Sequence, residues 1–378
     1  MNKQINNWNW MIEPNYIFGY NKNFLTKSTG NIKSAYLFDL DYTLIKTKSG
    51  KKFPISKTDW EFFYPNTVEK IESLSNSVGG IISNQKGLNN SEKILDWIDK
   101  CIEISKHLKQ INFVFASITD DRYRKPMCGS CEIYQSIFTN VDWNKLHEKN
   151  KIYYIGDASG RKNDFSDTDI KYAVNCKYKF KTPEVFFEIK DSDKSGSITY
   201  PVINYFDEVE QNNLFEELEK TIIKHKKVLI ITIGLPASGK SFIRKELIKR
   251  FPQFTYTNND DIKNKVQSRM LLKKISDEYD FIIDDNTNLI ESEREKKLKE
   301  FKSYYKIGIW FDYDLDTCFH LNLLRMYWFG EKLLPKLVYY TLRKKFNSEK
   351  VDKGFDKFIK ITKVFREMNL DNKIKYYF

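Results

Sequence analysis

The sequence has no apolar run long enough to cross a bilayer, which excludes an ordinary helical membrane protein. Its opening, MNKQINNWNWMIEP, lacks the apolar core and small-residue cleavage site of a secretory signal. Cysteine is scarce, odd in number and scattered, with five in 378 residues. That usage argues against a disulfide framework and for a reducing compartment, the nucleus or the cytoplasm. Cys128 and Cys131 form a CxxC, the spacing of a redox pair or of half a zinc site. No second pair stands at zinc spacing and only four His exist, so two reduced thiols are the expectation. No internal repeat and no low-complexity tail is present.

Apolar residues make up 41% of the chain and aromatics 15%, enough to bury real cores. At 378 residues, two domains are the default. The net charge is +12, which suits a polyanionic partner, nucleic acid first and an anionic membrane second. Richness in Lys, Asn and Ile also follows from a low-GC genome such as a virus carries, so the charge alone is weak support.

Short apolar runs alternate with segments of helical period. Strands are predicted at AYLF (35–38), GGIIS (79–83), INFVFAS (111–117) and KIYYIGD (151–157). A second series is VLIITI (228–233), FTYT (254–257), FIIDD (281–285) and KIGIWF (306–311). Segments 91–108 and 241–251 carry apolar residues every three to four positions, as amphipathic helices require. Strands alternating with helices predict an α/β protein with two parallel-sheet domains. Residues 190–201, polar and punctuated by Gly196 and Pro201, mark the break. The division expected is an extension at 1–34, a first domain at 35–190, a linker at 191–215 and a second domain at 216–378.

In open α/β sheets ligands sit beyond the carboxyl ends of the strands. Four such ends in the first half carry polar groups: Asp39 and Asp41; Ser83 and Asn84; Ser117 and Thr119, leading to Arg124 and Lys125; Gly156 and Asp157. In LFDLDYTL, Asp39 and Asp41 would point the same way off a strand and repel. A Mg²⁺ ion held by Asp39, Asp41 and Asp157 removes that conflict. Asp39 would then be a nucleophile toward phosphorus and Asp41 the acid/base. Ser83, Asn84 and Lys125 would hold phosphate oxygens. The plain alternative is that Asp41 and Thr43 merely shape a turn.

DLDYTL resembles the DxDxT motif of the haloacid-dehalogenase-like phosphatases. DLDYTLIKTKSGKKFP, SNQKGL, YRKP and GDASGRKNDFSDTD are more closely similar to the phosphatase half of the bifunctional polynucleotide phosphatase/kinases. That resemblance implies Mg²⁺-dependent removal of 3′-phosphates. It implies Asp39 as nucleophile, Asp41 as acid/base, Asp157 as metal ligand, and Lys125 and Ser83 on the phosphate. Asp164 and Asp169 match further acidic positions, either supporting the metal through water or capping a helix.

GLPASGKS fits the phosphate-loop pattern and stands between a buried-type strand and an amphipathic helix. Gly234, Leu235, Pro236, Ala237, Ser238, Gly239, Lys240 and Ser241 would cradle the phosphates of ATP. Lys240 would reach the β- and γ-phosphates and Ser241 would offer a hydroxyl to Mg²⁺. TNNDDI and FIIDDNTN follow the next two strands. The order resembles the kinase half of the same family, which phosphorylates 5′-hydroxyls. The resemblance makes Asp260 the base that activates the hydroxyl, Asp285, Asn286 and Arg294 further kinase positions, and Arg325 a lid residue. YYTLRKKF (339–346) is similar as well, so matched segments run from about residue 35 to about residue 355.

Three positions depart from the family. Tyr42 stands where Gly is usual, Asn259 where Arg precedes the kinase Asp, and Leu323 where a second lid Arg is usual. The resemblance implies a DNA end-healing enzyme, acting on strand-break ends with ATP and Mg²⁺ ahead of a ligase. No membrane and no phosphopeptide-binding module are expected. RNA ends with the same chemistry are the alternative, as is an end-binding phosphatase with a weakened kinase. Two separate small-molecule activities would explain the motifs but not the charge.

Overall fold

The structure, a computed structural model, describes residues 2–5, 7–26, 32–189, 203–258 and 278–365. The chain divides into two compact units between 200 and 201. Among the described residues no helix is long and apolar enough to cross a membrane.

The first unit is built on one eight-stranded sheet. Its strands are β1 (Asn2–Ile5), β2 (Trp8–Ile12), β3 (Tyr16–Asn21), β4 (Ser34–Phe38), β7 (Ser77–Asn84), β8 (Ile111–Ser117), β9 (Ile152–Ile155) and β10 (Lys179–Lys181). Between β4 and β7 lies a small separate ribbon, β5 (Ile45–Lys46) with β6 (Glu61–Phe62). The spatial order is β1-β2-β3-β8-β7-β4-β9-β10. From β8 to β10 the pairing is parallel. The chain leaves β4 toward β7 and returns on its other side as β9. The crevice beyond β4 and β9 is therefore a topological switch point, where α/β sheets bind ligands.

Alternation along the strands explains the two-sided burial. Phe38 of β4 joins Trp97 and Ile98 of the helix Ser91–His107 on one face. Ala35 and Leu37 join Tyr134 and Tyr172 of the helices Gly129–Ile137 and Thr168–Asn175 on the other. Period-2 placement of fully apolar residues is what a strand buried on both faces requires.

Residues 1–34 were expected to precede the first strand, but β1–β3 lie within them. Trp8 and Trp10 alternate inward from β2, and β3 pairs antiparallel with β8. The Asn residues between them hid a period of two.

The second unit carries a five-stranded parallel sheet of order β12-β13-β11-β14-β15. The strands are β11 (Val228–Ile233), β12 (Thr255–Thr257), β13 (Phe281–Asp284), β14 (Tyr305–Phe311) and β15 (Lys357–Ile361). β11 is central, flanked by β13 and β14, and every residue in it is buried. The stretch read as a linker over 191–215 also holds structure. Tyr205 bridges to Val364, and the helix Glu208–Ile222 starts inside it. That helix has a capping box: Asp207 accepts from the Glu210 amide while Glu210 reaches back to the Asp207 amide.

Candidate active sites

The end of β4 sets the first site. The Asp39 amide donates to the Ile155 carbonyl at 2.8 Å, so the chain leaves β4 pinned against β9. Asp39, Asp157 and Asp169 bring carboxylate oxygens within 4.8 Å of one another. Lys125, only 4% exposed, sits among them. Its ammonium donates to Asp39 Oδ1 at 2.6 Å, Asp169 Oδ1 at 2.8 Å and the Tyr154 hydroxyl at 2.7 Å. Tyr154 in turn donates to the Ile82 carbonyl at 3.1 Å.

This arrangement has a clear electrostatic logic. Burial pushes the Asp39 carboxyl well above the usual range; Lys125 works against that, and Asp169 and Asp157 add to it. Burial, then Asp169, raises Asp157 to about 7. Burial disfavours the Lys125 ammonium, but Asp169 and Asp39 beside it hold it above the ordinary lysine range. Three carboxylates, Asp169 buried and Asp39 and Asp157 half-buried, facing one ammonium leave an excess of negative charge. An all-oxygen set of this kind fits a hard divalent cation.

Asp41 has its carboxylate elsewhere. Gln85 Nε2 donates to Asp41 Oδ2 at 2.7 Å and to Ser83 Oγ at 2.9 Å. The Asp41 side chain, read from sequence as a metal ligand, is thus outside the carboxylate cluster. Thr43 donates to Asp157 Oδ1 at 3.3 Å. Asn84 exchanges two bonds with the Lys125 backbone, at 3.0 and 3.1 Å, and so fixes the lysine's position. Arg124 turns away to Asp120, at 3.4 Å.

The two acidic positions left open by the sequence separate here. Asp169 belongs to the cluster, is 1% exposed and also accepts from the Ala158 amide at 3.0 Å. Gly156 makes room for it, because a Cβ there would lie 2.4 Å from Asp169 Oδ2. Asp164 instead ties its own loop, accepting from Ser159 and Arg161 at 2.8–3.0 Å. Gln85 and Tyr154 were not singled out by sequence. Gln85 looked like any polar residue after a strand, and Tyr154 like a core residue. Only the switch-point geometry gives them partners.

Tyr42 has φ 60°, in the left-handed region that favours glycine. Its ring stands edge-on to Phe63, 6.4 Å between centroids, and is 44% exposed. The position is one a glycine would adopt without strain, which fits the family's usual Gly there.

The second site forms where β11 turns into the helix Lys240–Arg250. Gly239 caps that helix at φ 97° and Ala237 has φ 62°, so the loop bends its amides around a common centre. Lys240 is 8% exposed and donates to the Leu235 carbonyl at 2.7 Å. Asp285 follows β13 directly; Ser241 hydrogen-bonds its carboxylate, and Arg244 lies 3.1 Å from it. Burial raises Asp285, with Ser241 and then Arg244 opposing. A cavity of about 710 Å³ joins Gly239, Lys240, Ser241, Asp285, Asn286 and Arg325. That volume suits a small-molecule ligand.

Asn286 donates to Asp284, whose other oxygen takes Lys297 at 2.5 Å. Arg325, on the helix Leu315–Phe329, pairs with Glu331 at the cavity wall. Arg294 is not brought to the cavity. It is buried and donates to the Asn288 carbonyl at 2.8 Å, so it supports the loop after β13 from beneath. Asp260 and Asn259 lie outside the described residues.

A family model described as polynucleotide kinase 3 phosphatase matches residues 34–187. The chain is similar to a bifunctional polynucleotide phosphatase/kinase of Schizosaccharomyces pombe, 28% identical over 85% of this chain and 78% of that one. It is similar to a putative bifunctional polynucleotide phosphatase/kinase of Acanthamoeba polyphaga mimivirus, 28% identical over 98% and 94%. A polynucleotide 3′-phosphatase of Saccharomyces cerevisiae is 30% identical over 41% of this chain and 87% of its own length. The matched segment holds the whole carboxylate cluster, and the likeness extends over most of two relatives. The chain belongs to the polynucleotide kinase 3 phosphatase family.

Proposed function

We propose that the protein heals broken nucleic-acid ends, removing 3′-phosphates at the first site and phosphorylating 5′-hydroxyls at the second. The observation that carries the reading is Asp39 held 2.6 Å from Lys125 at the switch point, with Asp157 and Asp169 beside it. The names of the relatives supply the substrate class.

At the first site Asp39 attacks phosphorus. The P–O bond to the 3′-oxygen breaks as the Asp39 oxygen–phosphorus bond forms, and Asp41 gives the leaving oxygen its proton. Water then attacks the aspartyl-phosphate, Asp41 takes its proton, and Asp39 is freed. Gln85 keeps Asp41 directed toward Ser83 through bonds of 2.7 and 2.9 Å. Ser83, Asn84 and Lys125 position the phosphate and its surroundings. Asp39, Asp157 and Asp169 would hold Mg²⁺, which supplies charge stabilisation for the phosphoryl oxygens.

At the second site the amides of 234–241, with Lys240 and Ser241, hold ATP phosphates. Lys240 exchanges its neutral carbonyl partner for an anionic one, a stronger bond by about twofold. Asp260 takes the proton of the 5′-hydroxyl as its oxygen attacks the γ-phosphorus, and ADP leaves. Asp285 steadies Ser241 and Arg325 faces the cavity.

DNA ends are the substrate we favour, with a ligase acting next on the product. The test is a labelled nick bearing 3′-phosphate and 5′-hydroxyl termini, given with ATP and Mg²⁺ beside a matched RNA nick. Both end conversions on DNA are expected. Conversion of neither nick, by protein that is folded, would overturn the proposal; conversion of RNA alone would transfer it to RNA repair.

A further inference from the structure

The CxxC of Cys128 and Cys131 meets a third, distant cysteine, Cys176, in the first unit, apart from the carboxylate cluster's own ligands. Cys128 is the residue before the helix Gly129–Ile137, and Cys131 lies in that helix's first turn. Cys176 ends the helix Thr168–Asn175. Their sulfurs lie within 4.8 Å of one another. Cys176 Sγ is 2.7 Å from Cys128 Sγ and 3.4 Å from Cys131 Sγ. The CxxC that lacked partners in the sequence thus acquires a third thiol, 45 residues beyond Cys131.

A buried cysteine that merely fills a core behaves as a small hydrophobe and needs no polar partners. Cys131 has three phenol hydroxyls around its sulfur: Tyr178 at 3.2 Å, Tyr134 at 3.3 Å and Tyr172 at 3.4 Å. Donors arranged around a sulfur stabilise a thiolate, and such partners surround ligand sulfurs in metal sites. Three thiolates on a zinc-sized ion stand about 3.8 Å apart, given bonds of about 2.3 Å. An outward shift of about 1 Å by Cys128, the one partly exposed member, with a few tenths of an ångström between Cys131 and Cys176, gives that spacing.

We propose that Cys128, Cys131 and Cys176 form a binding site for one thiophilic d¹⁰ cation of the Zn²⁺ class. Its position gives it a structural consequence. Cys128 follows Lys125 by three residues, and Cys176 closes the helix that carries Asp169. Those two segments already meet through Asn175 Nδ2 and the Pro126 carbonyl, at 2.9 Å, and through the Lys125–Asp169 ion pair at 2.8 Å. A cation bridging Cys128 and Cys176 fastens the same two segments on their far side. It therefore holds Lys125 in place for the first site without touching substrate.

The test uses the full chain, purified under argon with a non-thiol reductant, stripped of metal and titrated with Co²⁺. A sulfur-to-cobalt charge-transfer band in the near ultraviolet, saturating at one equivalent and displaced by Zn²⁺, is the expected result. C128S, C131S and C176S should each weaken Zn²⁺ binding by about tenfold or more. C101S and C318S, and D39N in the carboxylate cluster, should keep the band. Circular dichroism and a cooperative thermal transition report whether the first unit of each variant, which carries all three cysteines, has folded. If a thiol variant does not fold, reaction of the wild-type thiols with a disulfide reagent decides: Zn²⁺ should protect three of them. No charge-transfer band and no protection would overturn the proposal, as would a Cys128–Cys176 disulfide in protein isolated under argon.

Discussion

Under the proposed function, the two candidate sites solve one problem, holding phosphate, with different materials. The first is made of side chains. Four charges brought together from two strand ends, a loop and a helix, Asp39, Asp157, Lys125 and Asp169, constrain one another before any substrate arrives. The second is made of backbone. Its centre is the loop 234–241, bent by Gly239 and Ala237 in left-handed conformations, and its lysine rests on a loop carbonyl. The difference suits the chemistry. A covalent nucleophile must be placed to a fraction of an ångström and desolvated, which charge pairs achieve. Cradling a polyphosphate needs many equivalent donors, which amides supply.

The largest test of this comparison is the nucleophile. D39N should lower release of phosphate from a 3′-phosphorylated oligonucleotide by about 10⁴-fold or more, the scale of losing a covalent nucleophile. Transfer from ATP to a 5′-hydroxyl should persist in the same preparation. Loss of both activities would show that the two sites are not independent.

The mirror experiment is smaller. K240A should reduce 5′-phosphorylation by about 10²–10³-fold, as loss of one charged phosphate donor does. Its 3′-phosphatase rate should equal that of the wild type. A kinase active at the original rate would refute the loop's role.

Protons distinguish the sites further. Asp157 titrates near 7 in the fold against a usual value of 3.8, so the folded protein binds the extra proton. Without divalent ions, the stability this group contributes is full below about pH 4 and is lost as pH rises through 7. A divalent cation competes for the same carboxylate. The rise in melting temperature that Mg²⁺ causes should therefore grow between about pH 5.5 and pH 8. A shift that is constant or shrinks over that range would remove Asp157 from the ion's ligands.

The smallest effect concerns Tyr42. At φ 60° a tyrosine carries strain of about 1–2 kcal/mol that glycine avoids, against which glycine loses about 0.5–1 kcal/mol of chain entropy. Y42G should thus gain between nothing and about 1.5 kcal/mol in denaturant unfolding. Unchanged KM and kcat for the phosphatase would make Tyr42 a tolerated residue; a raised KM would give its ring a part in holding the nucleotide.

How much of this was legible in the sequence depended on locality. The apolar runs of β4, β8 and β11 announce themselves because strands buried on both faces must be continuously apolar. Asp39 and Lys240 stand in motifs whose spacing carries the chemistry. The helix Glu208–Ile222 had a readable start, Asp207 three residues before Glu210, yet its polar surroundings looked like linker. Asp169, Gln85 and Cys176 were of another kind. Each acquires its meaning from a partner on a different strand or helix, and nothing within a few residues of it records that partner.

The antiparallel strands at residues 2–21 bear on how the first unit is handled. β3 pairs with β8, so the backbone donors and acceptors along that side of Ile111–Ser117 are occupied. A chain begun at residue 34, where the family model's match begins, would turn β8 into an outer strand. That strand is INFVFAS, apolar, uncharged and free of proline. Such a strand recruits others of its kind, so the missing residues would appear first as clumping and only later as lost catalysis.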